Sequence, residues 1–463
     1  MTPEVSSLRM AQQHLDRLSA VDAAFLHQEG EATHMHIGAI ARFAGPAPPY
    51  EDVLEHIRSR LHFVTRYRQK LAAAPGGIGR QRWVDDPRFN LEYHVRHTAL
   101  PRPGDEERML RLAGRIFSQR LDRTKPLWEL WMVEGLEDGH WALISKTHHA
   151  LVDGVGGVDL TTVLFDLLPD APPQQTDDVW VPQPEPSGAE LAAASLTSAA
   201  RRTLGLPLRA ASLASRETLG GLAEVARASL SSAPDTPLNV AISPHRRIAI
   251  APADLEDFKL VKNHFGGTVN DVVLAVVAGA LRDWLDSRGL RTDGLEMKAC
   301  VPVSIRAPDE DGSLGNRITQ LIAPLPIHVA DPVERLHAVS EAMAGIKESK
   351  QALGAELIAG AQDFAPPTIL AQSSRMNFST RFYNLLVTNI PGPQFPLYLL
   401  GRELEEIFPV AFLAGDRALA VAIMSYNGRM SFGLIGDLDA MADIEVVAEG
   451  ITHSLRELVR LAA

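Results

Sequence analysis

The alternation of apolar and polar residues predicts strands and helices in both halves of the chain. Residues 141–147 (WALISKT) read as a strand that stops at His148. Beyond the glycines at 154, 156 and 157, apolar side chains fall at Leu160, Val163, Leu164, Leu167 and Leu168, the i, i+3, i+4, i+7, i+8 spacing of an amphipathic helix. That segment therefore reads as strand, glycine-rich turn, helix. In the second half, Thr268 and Asp271 stand three apart before an unbroken apolar run. A threonine hydroxyl and an acidic side chain in that relation cap a helix start reciprocally. The helix should begin at Thr268, continue to about Ser287 and be ended by Gly289. Residues 298–305 (KACVPVSI) and 385–389 read as strands, the latter stopped by Pro391-Gly392-Pro393. Residues 419–426 and 430–435 flank Asn427-Gly428, a pair suited to the two positive-φ positions of a tight hairpin. No short internal repeat is visible, which argues against solenoid and propeller folds.

Between the halves, residues 169–186 hold six prolines among Asp170, Asp177, Asp178 and Glu185, a stretch that cannot keep regular structure. Residues 1–168 then form an N-terminal lobe, 169–236 a proline-rich and then helical linker, and 237–463 a C-terminal lobe. Within the linker, residues 189–233 are rich in Ala, Leu and Ser and carry Arg201, Arg202, Arg209, Arg216 and Arg227 against Glu190, Glu217 and Glu224. This mildly basic stretch reads either as a solvated crossover or as an arm resting on an anionic lipid surface.

Composition narrows the choice of function. With 463 residues, 46% hydrophobic and 22% charged, most of the chain must fold around a large core. A net charge of −12 is a poor match to sequence-independent nucleic-acid binding, which needs a basic footprint, so no nucleic-acid partner is expected. Cys300 is the single cysteine, so an intramolecular disulfide and a thiolate metal cluster are both excluded, and a reducing, cytoplasmic setting is expected. The N-terminal stretch lacks the continuous apolar region of a signal peptide. The longest clean apolar run, residues 272–281, is about half of the roughly 20 residues a membrane-spanning helix needs. Peripheral association with a membrane or lipid inclusion is the remaining membrane option.

The most specific local feature is His148-His149-Ala150-Leu151-Val152-Asp153-Gly154, where the strand meets the turn. An imidazole presented there to a cavity can take and return a proton near neutral pH. Asp153 is close enough to fix the loop or to orient the imidazole. A histidine pair is elsewhere often a satisfied structural element, but the full seven-residue pattern favours chemistry. A shared metal is not expected: neighbouring side chains on a strand point to opposite faces, and the HExxH spacing is absent. Cys300 lies in an apolar strand, where a thiol stays protonated and inert, so it is a poor candidate nucleophile.

With this pattern the chain resembles the CoA-dependent acyltransferase superfamily, whose signature is His-His-x-x-x-Asp-Gly, and within it the bacterial wax ester synthase/diacylglycerol acyltransferase family. The resemblance takes in Leu18-Ser19-Ala20-Val21-Asp22, Pro126-Leu127-Trp128, Asn270-Asp271, Val301-Pro302-Val303-Ser304-Ile305-Arg306, Gly315-Asn316-Arg317 and Thr388-Asn389-Ile390-Pro391-Gly392-Pro393, in shared order over nearly the whole chain. It implies an α/β fold with mixed sheets, in which two chloramphenicol-acetyltransferase-like lobes, joined by a helical linker, meet around an active-site tunnel. It implies that His149 is the general base and that His148 is mainly structural. Asp153, with Gly154, would hold the loop through an ion pair instead of orienting the imidazole. The implied reaction esterifies diacylglycerol or a long-chain fatty alcohol with fatty acyl-CoA as co-substrate and needs no cofactor. Condensation domains share the signature and use a carrier-protein thioester, so that donor is the alternative, and a non-catalytic protein coating lipid inclusions is a third reading.

On this reading Asn270, in the first turn of its helix, is the candidate oxyanion donor, and Asp271 is a capping residue. Pro126, Leu127 and Trp128 either line the acyl tunnel or pack the core. Arg306 and Arg317 either meet CoA phosphates or are ordinary exposed arginines.

Overall fold

The computed structural model describes residues 15–77, 79–152, 163–172, 174, 180–198, 232–304, 318–348 and 382–463. The first half runs through β1 (Asp16–Arg17), α1 (Ala20–Gln28), β2 (His36–Phe43), α2 (Tyr50–Arg60), β3 (Gln69–Ala72), β4 (Arg82–Asp85), β5 (Val95–Ala99), α3 (Glu106–Ser118), β6 (Trp128–Glu134) and β7 (Trp141–His148), the last followed by the helical turn His149–Val152. The second half contributes β8 (Arg246–Asp254), α4 (Leu255–Phe265), α5 (Val269–Ser287), β9 (Met297–Ser304), β10 (Ile318–Leu325) and α6 (Pro332–Glu348). It continues through β11 (Leu385–Pro391), β12 (Tyr398–Leu399), β13 (Arg402–Val410), β14 (Leu419–Tyr426), β15 (Arg429–Asp437) and α7 (Ile444–Ala462).

These strands build two six-stranded sheets, β12-β13-β2-β7-β6-β5 and β10-β9-β11-β14-β15-β8, and a small sheet β1-β4-β3. Both large sheets are mixed, since β5 runs parallel to β6 and β11 runs parallel to both β9 and β14. Residues 398–410, expected with the C-terminal lobe, cross over to the first sheet. There β13 pairs antiparallel with β2, Phe408 opposite Ile40 and Val410 opposite Gly38. The crossover supplies β2 with a partner along an edge that would otherwise expose unpaired N–H and C=O groups.

The central strands of each large sheet are buried on both faces, which is why residues 141–144 and 419–423 read as continuous apolar runs. On the outer face of the first sheet, Trp141 and Leu143 pack with Ile57 of α2. On its inner face, Ala142 and Ile144 share a core with Ile116 and Phe117 of α3 and with Ala420, Ala422 and Ile435 of the second sheet. The outer face of the second sheet packs against α4 to α7. Small residues let the inner layers touch: a Cβ on Gly433 of β15 would lie 1.8 Å from the Pro409 carbonyl oxygen of β13, and one on Gly114 of α3 would lie 2.7 Å from that of Arg246 in β8.

Local expectations are met where short-range chemistry decides them. Thr268 caps α5, its hydroxyl accepting from the Asp271 N–H while the Asp271 carboxylate accepts from the Thr268 N–H. Asn427 and Gly428 join β14 to β15 with φ of 43° and 80°, as a tight hairpin turn requires. The proline-rich linker is followed by a helical stretch at 188–198, whose start is capped reciprocally by Ser187 and Glu190.

One helical expectation fails. The pattern through Leu168 breaks after Leu164: the Asp166 backbone pairs with Tyr398, its carboxylate pairs with Arg60, and Leu167 and Leu168 are 66% and 61% exposed. A backbone captured by β12 cannot continue the helical ladder, and Pro169 could not have extended it. Gly154, Gly156, Gly157 and Leu160, and the basic stretch at 199–231, lie outside the described residues. Among the described residues no single helix is long and apolar enough to cross a membrane.

Gly433→Ala should force β15 and β13 apart. We expect a loss of about 1–3 kcal/mol, read as a lower denaturation midpoint.

Candidate functional site

Strand β7 delivers the histidine pair. It pairs with β2 along its whole length, His148 opposite His36, and with β6 through residues 142–147. Past its last rung, the His148 N–H donates to the Leu127 carbonyl at 3.0 Å and the His149 N–H donates to the Met35 carbonyl at 3.0 Å, so the turn is tied to both neighbours. The ring of His148 is buried, and its Nδ1 accepts from the Ala150 N–H at 3.0 Å. His149 opens the helical turn that follows and is half-buried. Its imidazole stacks on Phe25 of α1 with centroids 4.0 Å apart, and the edge of Phe412 meets it at 5.6 Å and 90°. One wall comes from the first helix and the other from the segment just after β13. The two rings fix the plane of the imidazole.

Charge is concentrated beneath the turn. The Glu29 side chain is 1% exposed, with Arg120 Nε 3.4 Å from its Oε1 and Arg123 Nε 3.4 Å from its Oε2. His148 Nε2 lies 3.9 Å from the same Oε2. Burial pushes the Glu29 carboxyl up, and Arg123 and Arg120 oppose the rise. Burial also pushes His148 down to about 3, with His149 and Arg123 adding to the fall, so its ring is neutral at any pH near neutrality. Two residues earlier, Lys146 is fully buried, 3.1 Å from Glu129 Oε2, and donates to the Ile116 and Gln119 carbonyls at the end of α3, each at 3.0 Å. A cation at a helix C-terminus is favourably placed. His36 completes the row, its ring 6.0 Å from that of His148, and burial holds it well below the usual histidine range.

The remaining predicted residues fall into three groups. Pro126, Leu127 and Trp128 are buried, with Leu127 and Trp128 in the outer core of the first sheet. The Trp128 indole stacks on His94 at 4.7 Å and donates from Nε1 to the Tyr67 carbonyl at 2.8 Å, while Leu127 supplies the carbonyl that holds His148. What these contacts show is support for β7. Asp271 is a cap, and Ser340 also donates to its Oδ2 at 3.1 Å. Asn270 is half-buried in the first turn of α5, and among the described residues no hydrogen bond joins it to His149. Asp153, Gly154, Arg306 and Arg317 lie outside the described residues.

Comparison with known proteins decides the family. The family model for the wax ester synthase/diacylglycerol acyltransferase catalytic domain matches residues 18–273, and that for the C-terminal domain of the same family matches residues 314–459. The chain belongs to this family. It is 33% identical over 456 residues to a probable diacylglycerol O-acyltransferase of Mycobacterium tuberculosis, covering 97% of this chain and 96% of that one. The solved wax ester synthase/diacylglycerol acyltransferase from Marinobacter aquaeolei VT8 superposes with a TM-score of 0.67 at 27% identity, covering 96% of this chain and 99% of that one. A trichothecene 15-O-acetyltransferase from Fusarium sporotrichioides shares the fold at 14% identity and a TM-score of 0.62. So does the starter condensation domain of rhizomide synthetase, at 13% and 0.57.

As a member of the wax ester synthase/diacylglycerol acyltransferase family the chain is an acyltransferase, and the carrier-linked alternative is not favoured. Cys300 is 1% exposed in the core shared by the two sheets, and burial raises its thiol to about 12. The family motifs do not announce Glu29, Phe25 or Phe412. The one early signal is Ser19, which caps α1 by accepting from the Asp22 N–H and so sets the helix that carries Phe25.

The buried neutral histidines predict an acid-labile fold. His94 is lowered to about 4 and His148 to about 3, chiefly by burial. In the unfolded chain both regain an ordinary pKa near ~6.5, so below that value the unfolded state binds more protons and is favoured. Stability should therefore be full above about pH 6.5 and be lost toward pH 4, by about 1.4 kcal/mol per pH unit for each such histidine. Denaturant melts at pH 7, 6 and 5 test this, and His94→Gln should flatten the slope.

Proposed function

We propose that this acyltransferase joins a fatty acyl group from acyl-CoA to the hydroxyl of diacylglycerol or a long-chain alcohol, making triacylglycerol or wax ester. The observation that carries the reading is His149, an imidazole held between Phe25 and Phe412 at the end of β7, where the first sheet meets residues from the second half. His149 takes the proton from the acceptor hydroxyl as that oxygen attacks the thioester carbonyl. The tetrahedral intermediate collapses by breaking the C–S bond, and the imidazolium returns its proton to the departing CoA thiolate. Asn270 and the free N–H groups of the first turn of α5 stabilise the oxyanion. Transfer is direct, within a ternary complex, and no cofactor takes part.

Support comes from four sides: the family, the buried and inert Cys300, the neutral supporting ring of His148, and the small inner-face residues that bring the two sheets together. Acyl-CoA and acceptor enter a tunnel between the lobes. Because both acceptors are water-insoluble, we place the enzyme at the surface of a membrane or lipid inclusion, held peripherally.

The decisive assay supplies purified protein with palmitoyl-CoA and either hexadecanol or dioleoylglycerol, and follows thiol release and neutral ester together. Ester should form with at least one acceptor and be abolished in His149→Ala that still melts cooperatively. Asn270→Ala should lower kcat by about a hundredfold, as the loss of one oxyanion donor does. Cys300→Ala should keep most of the activity. Absence of both ester and thiol release from folded protein would refute the reading.

A further inference from the structure

We propose that Glu29 is a positioning residue for the catalytic turn, bracing the His148 ring from below while Arg120 and Arg123 brace the carboxylate in turn; this rests on His149 being the base. The proton inventory of His148 gives the first argument. Its Nδ1 accepts from the Ala150 N–H, so the neutral ring carries its proton on Nε2. That Nε2 lies 3.9 Å from Glu29 Oε2, outside direct hydrogen-bond distance, and both side chains are 1% exposed, so the carboxylate acts on the ring through its buried charge. A carboxylate is costly to bury unless cations answer it, and here Arg120 and Arg123 answer it from a single loop.

The loop itself gives the second argument. Residues 119–125 run directly into Pro126-Leu127-Trp128, and the Leu127 carbonyl holds the His148 N–H. One connection therefore reaches His148 twice, by the Leu127 carbonyl bonded to its backbone and by Arg123 paired with Glu29, whose Oε2 lies 3.9 Å from the imidazole. His148 then holds the Ala150 N–H, one residue beyond the base. Glu29 also caps the end of α1, its N–H donating to the carbonyl of Phe25, whose ring forms one wall of the His149 slot. Both the turn and the wall are thus registered on the same residue.

The charged and titratable groups around this cluster are few. From β2 comes His36, with His34 beyond it; from β8 comes Arg246, which acts on both of those rings and is matched by Asp437; from β7 comes Lys146, matched by Glu129 of β6; from the turn comes His149 itself. The uncompensated balance is two guanidinium groups against one carboxylate. Removing the carboxylate should make protonation of the neighbouring base harder, and removing one guanidinium should make it easier.

The test measures kcat, KM and the pH dependence of ester synthesis from palmitoyl-CoA and dioleoylglycerol in Glu29→Gln, Glu29→Asp and Arg123→Gln, with His149→Ala and thermal melts alongside. In Glu29→Gln we expect kcat to fall about ten- to a hundredfold with KM little changed, as when a reacting group is misplaced by a fraction of an ångström to an ångström. The acid limb should move down by roughly half a pH unit in Glu29→Gln and up by a similar amount in Arg123→Gln. Glu29→Asp should recover part of the rate. An Arg123→Gln profile that overlays the parent's overturns the proposal, whether or not Glu29→Gln folds. A fully active Glu29→Gln beside a dead His149→Ala removes the positioning role alone, whereas an active His149→Ala removes the base assignment beneath it.

Discussion

The register of β7 is the constraint on which the rest of the site depends. It lies between β2 and β6, paired on both sides, and its alternation sends Lys146 and His148 to one face and Ser145 and Thr147 to the other. A slip of one residue would exchange those faces, leaving a lysine ammonium in the apolar outer core and an imidazole against Trp128. The Lys146 contacts forbid that slip: the ammonium is fully buried and stable only where Glu129 and the last carbonyls of α3 receive it. The same contacts that anchor the strand therefore aim the histidines.

Helix α3 is the second organiser. It packs on the inner face of the first sheet and also touches β8 of the second, through Gly114 and through a hydrogen bond from the Arg246 N–H to Ser118 Oγ at 2.8 Å. Its C-terminal carbonyls hold Lys146, and the loop that follows carries Arg120 and Arg123 to Glu29. The shared core and the charge cluster beneath the histidines are thus two ends of one element. Coupling of this kind sets the His149 ring at the end of β7, with a ring from each half of the chain against it.

What could be read from the sequence was what neighbours in sequence decide. The Thr268 and Asp271 cap, the Asn427-Gly428 turn and the strand ending at His148 are each settled within a few residues, and each stands where the pattern put it. The histidine pair was legible as a candidate for chemistry because the seven-residue signature is local. Features set by distant partners were not legible. Glu29 meets His148 across 119 positions, and nothing around Glu29 in the sequence marks it as a buried carboxylate. The passage of β13 into the first sheet is equally silent, because an apolar strand carries no sign of which edge it will join. Leu167 and Leu168 show the reverse error, a helical pattern overruled by a backbone pairing to Tyr398 more than two hundred residues away. The Pro126-Leu127-Trp128 motif was visible as a motif, but only the fold shows its Leu127 carbonyl accepting from the His148 N–H at the end of β7.

The passage of β13 also bears on the order in which the protein is made. While the chain is being synthesised from its N-terminus, β2 and β7 emerge early and can pair, yet the outer edge of β2 stays bare until residues 402–410 leave the ribosome. Phe412, the second wall of the His149 slot, follows immediately behind. A nascent chain stalled before this point would carry the whole histidine signature and still lack half of the slot, with a sticky sheet edge that a chaperone or another chain could occupy.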